Sequence, residues 1–350
     1  MIKLTDPIGQ LNDQSTLQKY KIAGLIATKT IDEIIKNTKV GSKLFDLVNI
    51  GENYIRNELK KVFTEIKDKG QSFPICLSLN NIAGHYIPLS NEIIQDGDIL
   101  KIELGVHIDG FPANIVFSTL VTSDNTIIND KRSNVMKGCI EASKEIIKIM
   151  KPGNTNKDVS NIMQKYAEKY NCNLPIYNES GIVPGVLSYQ ISRYVVDGSN
   201  DDDDEFIHRF ILCKDNPNYE YTMRENEFEE NEIYSIDILM STGSCKLQNI
   251  DKTAIFKRNH KNRFPLKLKS SKDALSLFNK GMFPIKIDIS NVKIKLGLKE
   301  CLEKNLIEKY PVVCDKEGEY IARVKFTVIV KENPVLICGK SSDSELKKLV

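Results

Sequence analysis

The chain has 350 residues, 41% hydrophobic and 27% charged, a balance suited to a soluble globular protein with a real core. At roughly 150 residues per domain, the length suggests about two domains or one large one. No apolar run approaches the roughly 20 residues of a membrane span, so no membrane partner is expected, and no charged-then-apolar leader pattern opens the chain. Lys+Arg 49 against Asp+Glu 47 leaves +2, so any basic footprint for nucleic acid must be local. The eight cysteines are scattered without a CxxC pair and read as reduced thiols of a cytosolic or nuclear protein.

Residues 1–14 read as a polar, turn-like extension. Over 15–37, Leu17, Ile22, Leu25, Ile26, Ile31, Ile34 and Ile35 form a stripe that predicts a helix. Val40-Gly41-Ser42 stops it, and Leu44, Leu47, Val48, Tyr54, Ile55, Leu59 and Val62 predict a second. Strands are predicted at 74–79, at 99–104 after the turn residues Asp96-Gly97-Asp98, and at about 111–121. A third helix covers roughly 132–150 and ends at Pro152-Gly153. Thr155 with Asp158 opens a fourth, with Val159, Ile162, Met163, Tyr166 and Tyr170 on one face.

Part of this pattern occurs twice. Helix, glycine stop and second helix follow in that order in both halves, and residues 97–104 resemble residues 231–238. Both strands carry an acid, Glu103 or Asp237, at the same distance from the turn residue and among large aliphatics. A duplication of this kind would bring one inward carboxylate from each half to a shared cleft. Between the halves' strands lies the acidic run 201–205, followed by the acid-rich 224–232; like charges repel, so this reads as a solvated loop, with a calcium or protein-binding loop as the alternative. The opposite sign follows in Lys252, Lys257, Arg258, Lys261, Arg263, Lys267, Lys269 and Lys272, interleaved with Phe256, His260 and Phe264. Mixed helical patterns run to about Glu308, and a final strand is predicted at 320–330.

The segments 78–86, 101–110, 234–237 and 322–327 resemble the type II methionine aminopeptidases. Gly105-Val106-His107-Ile108-Asp109-Gly110-Phe111 with Ala113-Asn114, Val196-Asp197-Gly198, Ile255-Phe256-Lys257-Arg258 and Glu317-Gly318-Glu319-Tyr320 are closer still to their non-peptidase relatives. These are the eukaryotic proliferation-associated, ErbB-binding proteins. The resemblance covers nearly the whole chain. It implies an α/β (α+β) architecture of the pita-bread kind: two pseudo-symmetric halves around one antiparallel sheet, with a small helical insertion. The domain would span 15–350, with an acidic loop insertion at 199–231 and a basic, helical insertion at 257–312.

An active member of the family holds two divalent metals with two Asp, one His and two Glu. Hard cations want oxygen ligands, and bridging carboxylates keep such metals about 3.5–4 Å apart. Carried over residue by residue, those positions fall on Glu103, Asn114, Tyr189, Asp237 and Lys325. One net negative charge remains where the family carries four. An ammonium in place of a bridging carboxylate repels each metal ion, and a phenol that ionises near pH 10 is a poor ligand. The resemblance so implies no metal pair, no cofactor, no small-molecule substrate and no peptidase activity. In their stead, the Lys325 ammonium is expected to bridge Glu103 and Asp237 from the two halves. His85 matches a family histidine beside the metals and is expected to remain as a pocket residue.

Without catalysis, function passes to surfaces. Basic side chains interleaved with Phe and His suit a phosphate backbone with occasional base stacking, so the stretch from Lys252 to Lys272 is the expected RNA-binding segment. The resemblance implies ribosomal RNA, the large ribosomal subunit and pre-ribosomal particles as partners, a place in ribosome biogenesis, translation and growth control, and a cytoplasmic or nucleolar location. Two alternatives stay open: a hydrolase with an altered site, and a protein–protein scaffold without RNA contact.

Overall fold

The computed structural model describes residues 11, 13–88, 92–123, 127–175, 188–197, 210–214, 223, 225–278, 282–340 and 343–349. The acidic run 201–205 and most of the 199–231 segment lie outside them. Helix α1 (Gln14–Lys36) starts where the Asp13 carboxylate accepts from the Ser15 and Thr16 amides. Helix α2 (Leu44–Leu59) follows. Next come β1 (Lys69–Leu79), β2 (Ile82–Gly84), β3 (Asp98–Ile108) and β4 (Phe111–Val121). The β3–β4 turn is Asp109-Gly110, both at positive φ (54° and 78°), the conformation a two-residue hairpin demands. Helix α3 (Lys131–Ile149) leads to α4 (Asn156–Lys169), which opens with the expected Thr155–Asp158 capping box.

The second half supplies β5 (Ser188–Gln190), β6 (Phe210–Ile211) and β7 (Ile233–Ser241). An outlying unit then runs through β8 (Gln248–Arg258), α5 (Lys269–Ser276), β9 (Ile285–Lys286), α6 (Val292–Glu303) and β10 (Ile307–Cys314). The chain returns with β11 (Ile321–Ile329), β12 (Val335–Cys338) and α7 (Asp343–Leu346). The mixed helical pattern read up to about Glu308 forms α5 and α6 with the short β9 between them; two strands were not expected, β8 in the basic stretch up to Arg258 and β10 from Ile307. Pairing between these two strands, distant in sequence, overrides a charge pattern that locally suggests exposed helix and loop.

The main sheet runs β1-β3-β4-β11-β7-β5-β6, with β12 also on β11, and all its pairings are antiparallel. Its centre is the β4–β11 seam, flanked by hairpin β3–β4 on one side and pair β11–β7 on the other. Helices α1 and α2 cover the first half with a core that includes Ile31, Ile34, Leu47 and Leu104. Helices α3 and α4 cover the second with Val135, Met163, Ile236 and Val324. Two like halves around a seam account for the repeated sequence pattern. A smaller sheet, β2-β10-β8-β9, ties the outlying unit to the main body, and Phe256, Leu298, Cys301 and Leu306 give that unit a core of its own.

Candidate functional site

Strand register builds the site. Glu103 on β3 stands opposite Val116 on β4, Val116 opposite Lys325 on β11, and Lys325 opposite Asp237 on β7. Directly opposed residues share a sheet face, so the row carries Glu103, Lys325 and Asp237 to one side. Asn114, two residues before Val116, and Arg323, two before Lys325, join the same face.

The guanidinium of Arg323 is the centre of this group and is almost out of solvent, at 1% exposure. Its Nε and Nη2 donate to Asp237 Oδ1 and Oδ2 at 2.8 and 2.6 Å, and its Nη1 stands 3.0 Å from Glu103 Oε1. Lys325 Nζ lies 2.9 Å from Asp237 Oδ2. The expected bridge between the halves therefore exists, but Arg323 makes it, and Lys325 pairs with Asp237 alone among the described acids. A planar fork reaches two carboxylates at once, which a single ammonium does less well. Burial is the largest influence and resists ionisation of both carboxyls, yet Arg323 and Lys325 together outweigh it, and Glu103 and Asp237 are held below the ordinary carboxylate range. Arg323 itself is pushed up by the two acids against the effect of burial. Glycine at 84 is required here, because a Cβ would lie 2.2 Å from Arg323 Nη1.

Around this core the remaining positions close in. His85 has φ 60°, and its amide donates to Glu103 Oε2 at 3.0 Å. Its Nδ1 sits 3.2 Å from the Pro311 carbonyl, which fixes the proton on that nitrogen, and burial pushes the ring's pKa down, so it is neutral at pH 7. The Asn114 amide oxygen accepts from Ser72 at 2.8 Å. Phe73, His85, Glu103, Asn114, Tyr189, Asp197, Tyr310 and Lys325 are among the residues that enclose a cavity of about 40 Å3. That is room for a few waters, far below the roughly 300–1,000 Å3 of small-molecule sites.

The donor set does not fit two divalent metals. Its two carboxylates are already shared between a guanidinium and an ammonium, and its amide faces a hydroxyl. Formal charge sums to zero over Glu103, Asp237, Arg323 and Lys325. Sequence reading missed Arg323, although its i, i+2 spacing from Lys325 on a strand was the available signal. It missed Lys101 as well: buried two residues before Glu103, its ammonium donates to the carbonyls of Asn80 and Ile321 at 2.7 and 3.1 Å, and burial lowers its pKa to about 7.

The basic stretch divides. Lys257 is buried, pairs with Asp197 at 2.8 Å, and is withdrawn from the RNA-binding set. Asp197 also accepts from the Tyr310 hydroxyl, so both side chains tie the cleft loop to the outlying unit. Arg258 is half-buried, with its guanidinium donating to the carbonyls of Leu306 and Asn262. Its position too is structural, because a fork spent on backbone oxygens is not presented to a phosphate. Lys261, Arg263, Lys267, Lys269 and Lys272 are exposed, and so is Lys252, whose ammonium lies 5.0 Å from the Tyr86 ring centre. Lys304 adds a cation that sequence reading missed, 4.5 Å from the ring of exposed Phe264.

Comparison with known proteins identifies the family. Residues 18–244 match Metallopeptidase family M24. ErbB-3 binding protein 1 of Solanum tuberosum is 34% identical over 334 residues, spanning 92% of this chain and 81% of that protein. The curved DNA-binding protein of Schizosaccharomyces pombe is 31% identical over 350 residues, spanning 97% and 86%. The chain belongs to the M24 family, in its ErbB-binding, proliferation-associated group. A solved thermophilic Arx1 superposes with a TM-score of 0.80 at 22% identity, covering 94% of this chain and 92% of that one, which establishes the pita-bread fold. Among the described residues, no helix is long and apolar enough to cross a membrane.

Proposed function

We propose that this chain is a catalytically inactive aminopeptidase-like protein that works as an RNA- and ribosome-associated binding factor. The observation that carries the first half is the seating of Arg323 and Lys325 on the carboxylates that metals would need. Cations bound at 2.6–3.0 Å neutralise the acids from within, so a divalent ion entering the cleft meets no net negative charge. His85, Glu103, Asn114, Tyr189, Asp237 and Lys325 then form a vestigial pocket with a structural role. A metal titration with two tightly bound cobalt or manganese ions, together with methionine release from a short peptide, would overturn this reading.

The second half rests on the exposed cations of the outlying unit, Lys261, Arg263, Lys267, Lys269 and Lys272, together with exposed Phe264 and the Lys304 ammonium over its ring. A relative named as DNA-binding supports nucleic acid as the ligand class, and the resemblance drawn from the sequence supports ribosomal RNA and pre-ribosomal particles. On this reading residues 15–350 act as one aminopeptidase-like domain, with insertions at 199–231 and 257–312, in the cytoplasm and nucleolus. Filter binding to ribosomal RNA at two salt concentrations tests it. Glu at 261, 263 and 267 should weaken binding and flatten the salt slope. Ribosome co-sedimentation that survives these changes unaltered would assign the contact elsewhere.

A further inference from the structure

The outlying unit has a second exposed surface, unlike the basic loop in character. Helix α6 buries Gly297, Leu298 and Cys301, and α5 approaches so closely that a Cβ on Gly297 would lie 2.2 Å from the Ser270 carbonyl oxygen. Its other side carries Val292, Lys295, Leu296, Lys299 and Leu302, spaced at three and four residues along one face. This face walls an open groove of about 820 Å3, with Asp251 and Thr253 of β8 and Lys309 of β10 opposite and Phe256 at its floor. Val292 is 78% exposed and Leu296 55%. Lys295, Lys299 and Lys309 outnumber the two acids of the same groove, Asp251 and Glu303; none of the three lysines is in an ion pair among the described residues, and Lys295 and Lys299 repel each other one helical turn apart. Aliphatic side chains in water beside a net positive groove are a poor arrangement for an isolated helix and a good one for a complementary partner.

We propose that this groove docks an acidic amphipathic helix from a protein partner. Its aliphatic side chains, about one turn apart, would pack on Val292, Leu296 and Leu302, and its carboxylates would face Lys295, Lys299 and Lys309. The twelve residues of α6 span about 18 Å, enough for three turns of a partner. Nucleic acid suits the surface poorly: bases stack on aromatic or guanidinium planes, whereas the mouth is aliphatic and Phe256 is buried in the floor. The proposal is independent of the ribosomal reading, since it uses other residues and another ligand class.

The test is fluorescence anisotropy on the full chain with a labelled peptide of about fourteen residues, with leucines one turn apart and glutamates elsewhere. Controls are the same peptide with lysine for glutamate and an isomer with scrambled leucine positions. The acidic amphipathic peptide should bind at least about tenfold more tightly than either control. Leu296→Asp should weaken it about tenfold, and Lys295→Glu with Lys299→Glu about fivefold, more at low salt than at high. These positions are exposed, and unchanged melting of the variants establishes that they fold. Equal binding of the three peptides, or wild-type affinity in Leu296→Asp, would overturn the proposal. Competition by a single-stranded RNA oligonucleotide would give the groove to nucleic acid instead. A dimer in sedimentation velocity that Leu296→Asp dissolves would give it to a second copy of this chain.

Discussion

Arg323 and Lys325 in the cleft and Lys261, Arg263 and Lys267 on the outlying unit are cations of the same two kinds placed in two different media. Arg323 is withdrawn from water and Lys325 half-buried, and both are held within 3.0 Å of carboxylates, so their charge is consumed internally. The surface group stands in solvent, where its field reaches outward. Lys257 lies only four residues before Lys261 in sequence yet behaves as a cleft residue, buried against Asp197. Counting basic residues along a stretch therefore overstates the field it presents, and burial decides which cations remain available to a ligand.

The largest test of this contrast is Arg323→Met. It leaves Glu103 and Asp237 buried beside a single lysine, and breaking a buried pair in this way costs about 3–5 kcal/mol. Thermal unfolding should show the loss, and a midpoint equal to wild type would remove Arg323 from the centre of the cleft. Lys325→Met should cost less, because Asp237 keeps its two contacts to Arg323.

Lys257→Met comes next, at about 2 kcal/mol, since Asp197 is partly exposed and water recovers some of the lost interaction. Chemical denaturation should place this variant with the cleft mutants. If its stability matched that of Lys261→Met, the division between the two classes of cation would fail.

Acid sharpens the same comparison by a change of sign. Glu103 and Asp237 have lowered pKa values in the fold, so they bind protons more weakly there than in the unfolded chain. Their contribution is present above the unfolded value of about 4 and is lost as pH falls through the lowered folded values. In Arg323→Met, burial is no longer outweighed and raises both carboxyls, so the variant should gain stability as pH falls toward about 5. Urea midpoints for both proteins between neutral pH and acid would show diverging slopes; parallel curves would mean that Arg323 does not set the ionisation of these acids.

The elements legible in the sequence are those with long, uninterrupted periodicity. Helices α1 to α4 and strands β3, β4 and β11 each carry their pattern over many residues, and the repeated strand pattern alone points Glu103 and Asp237 to one cleft. Arg323 stayed hidden because one cation in an alternating strand reads as a solvent-facing position. Only its shared face with Lys325, and a sheet covered on that face, make it internal. Strands β8 and β10 escaped for a related reason: charged residues punctuate β8, Pro311 interrupts β10, and each becomes a strand only by pairing with the other across some fifty residues. The groove beside α6 was invisible because its opposite wall comes from those two strands.

The smallest expected effect is also the one that separates affinity from folding. Lys261→Met, Arg263→Met and Lys267→Met change exposed side chains, and each should alter stability by no more than about 0.5 kcal/mol. If these cations meet phosphates, each replacement releases one fewer counterion on binding. The slope of log affinity against log salt should then fall by about 0.9 for each contact made to duplex RNA or DNA, and somewhat less for single strands. Lys257→Met, once folded at low temperature, should keep the wild-type slope, because its ammonium neutralises Asp197 rather than a phosphate. A slope that changed equally for Lys257 and Lys261 would mean that the outlying unit deforms on binding and exposes its buried lysine, and the separation drawn between the two media would then hold only for the free protein.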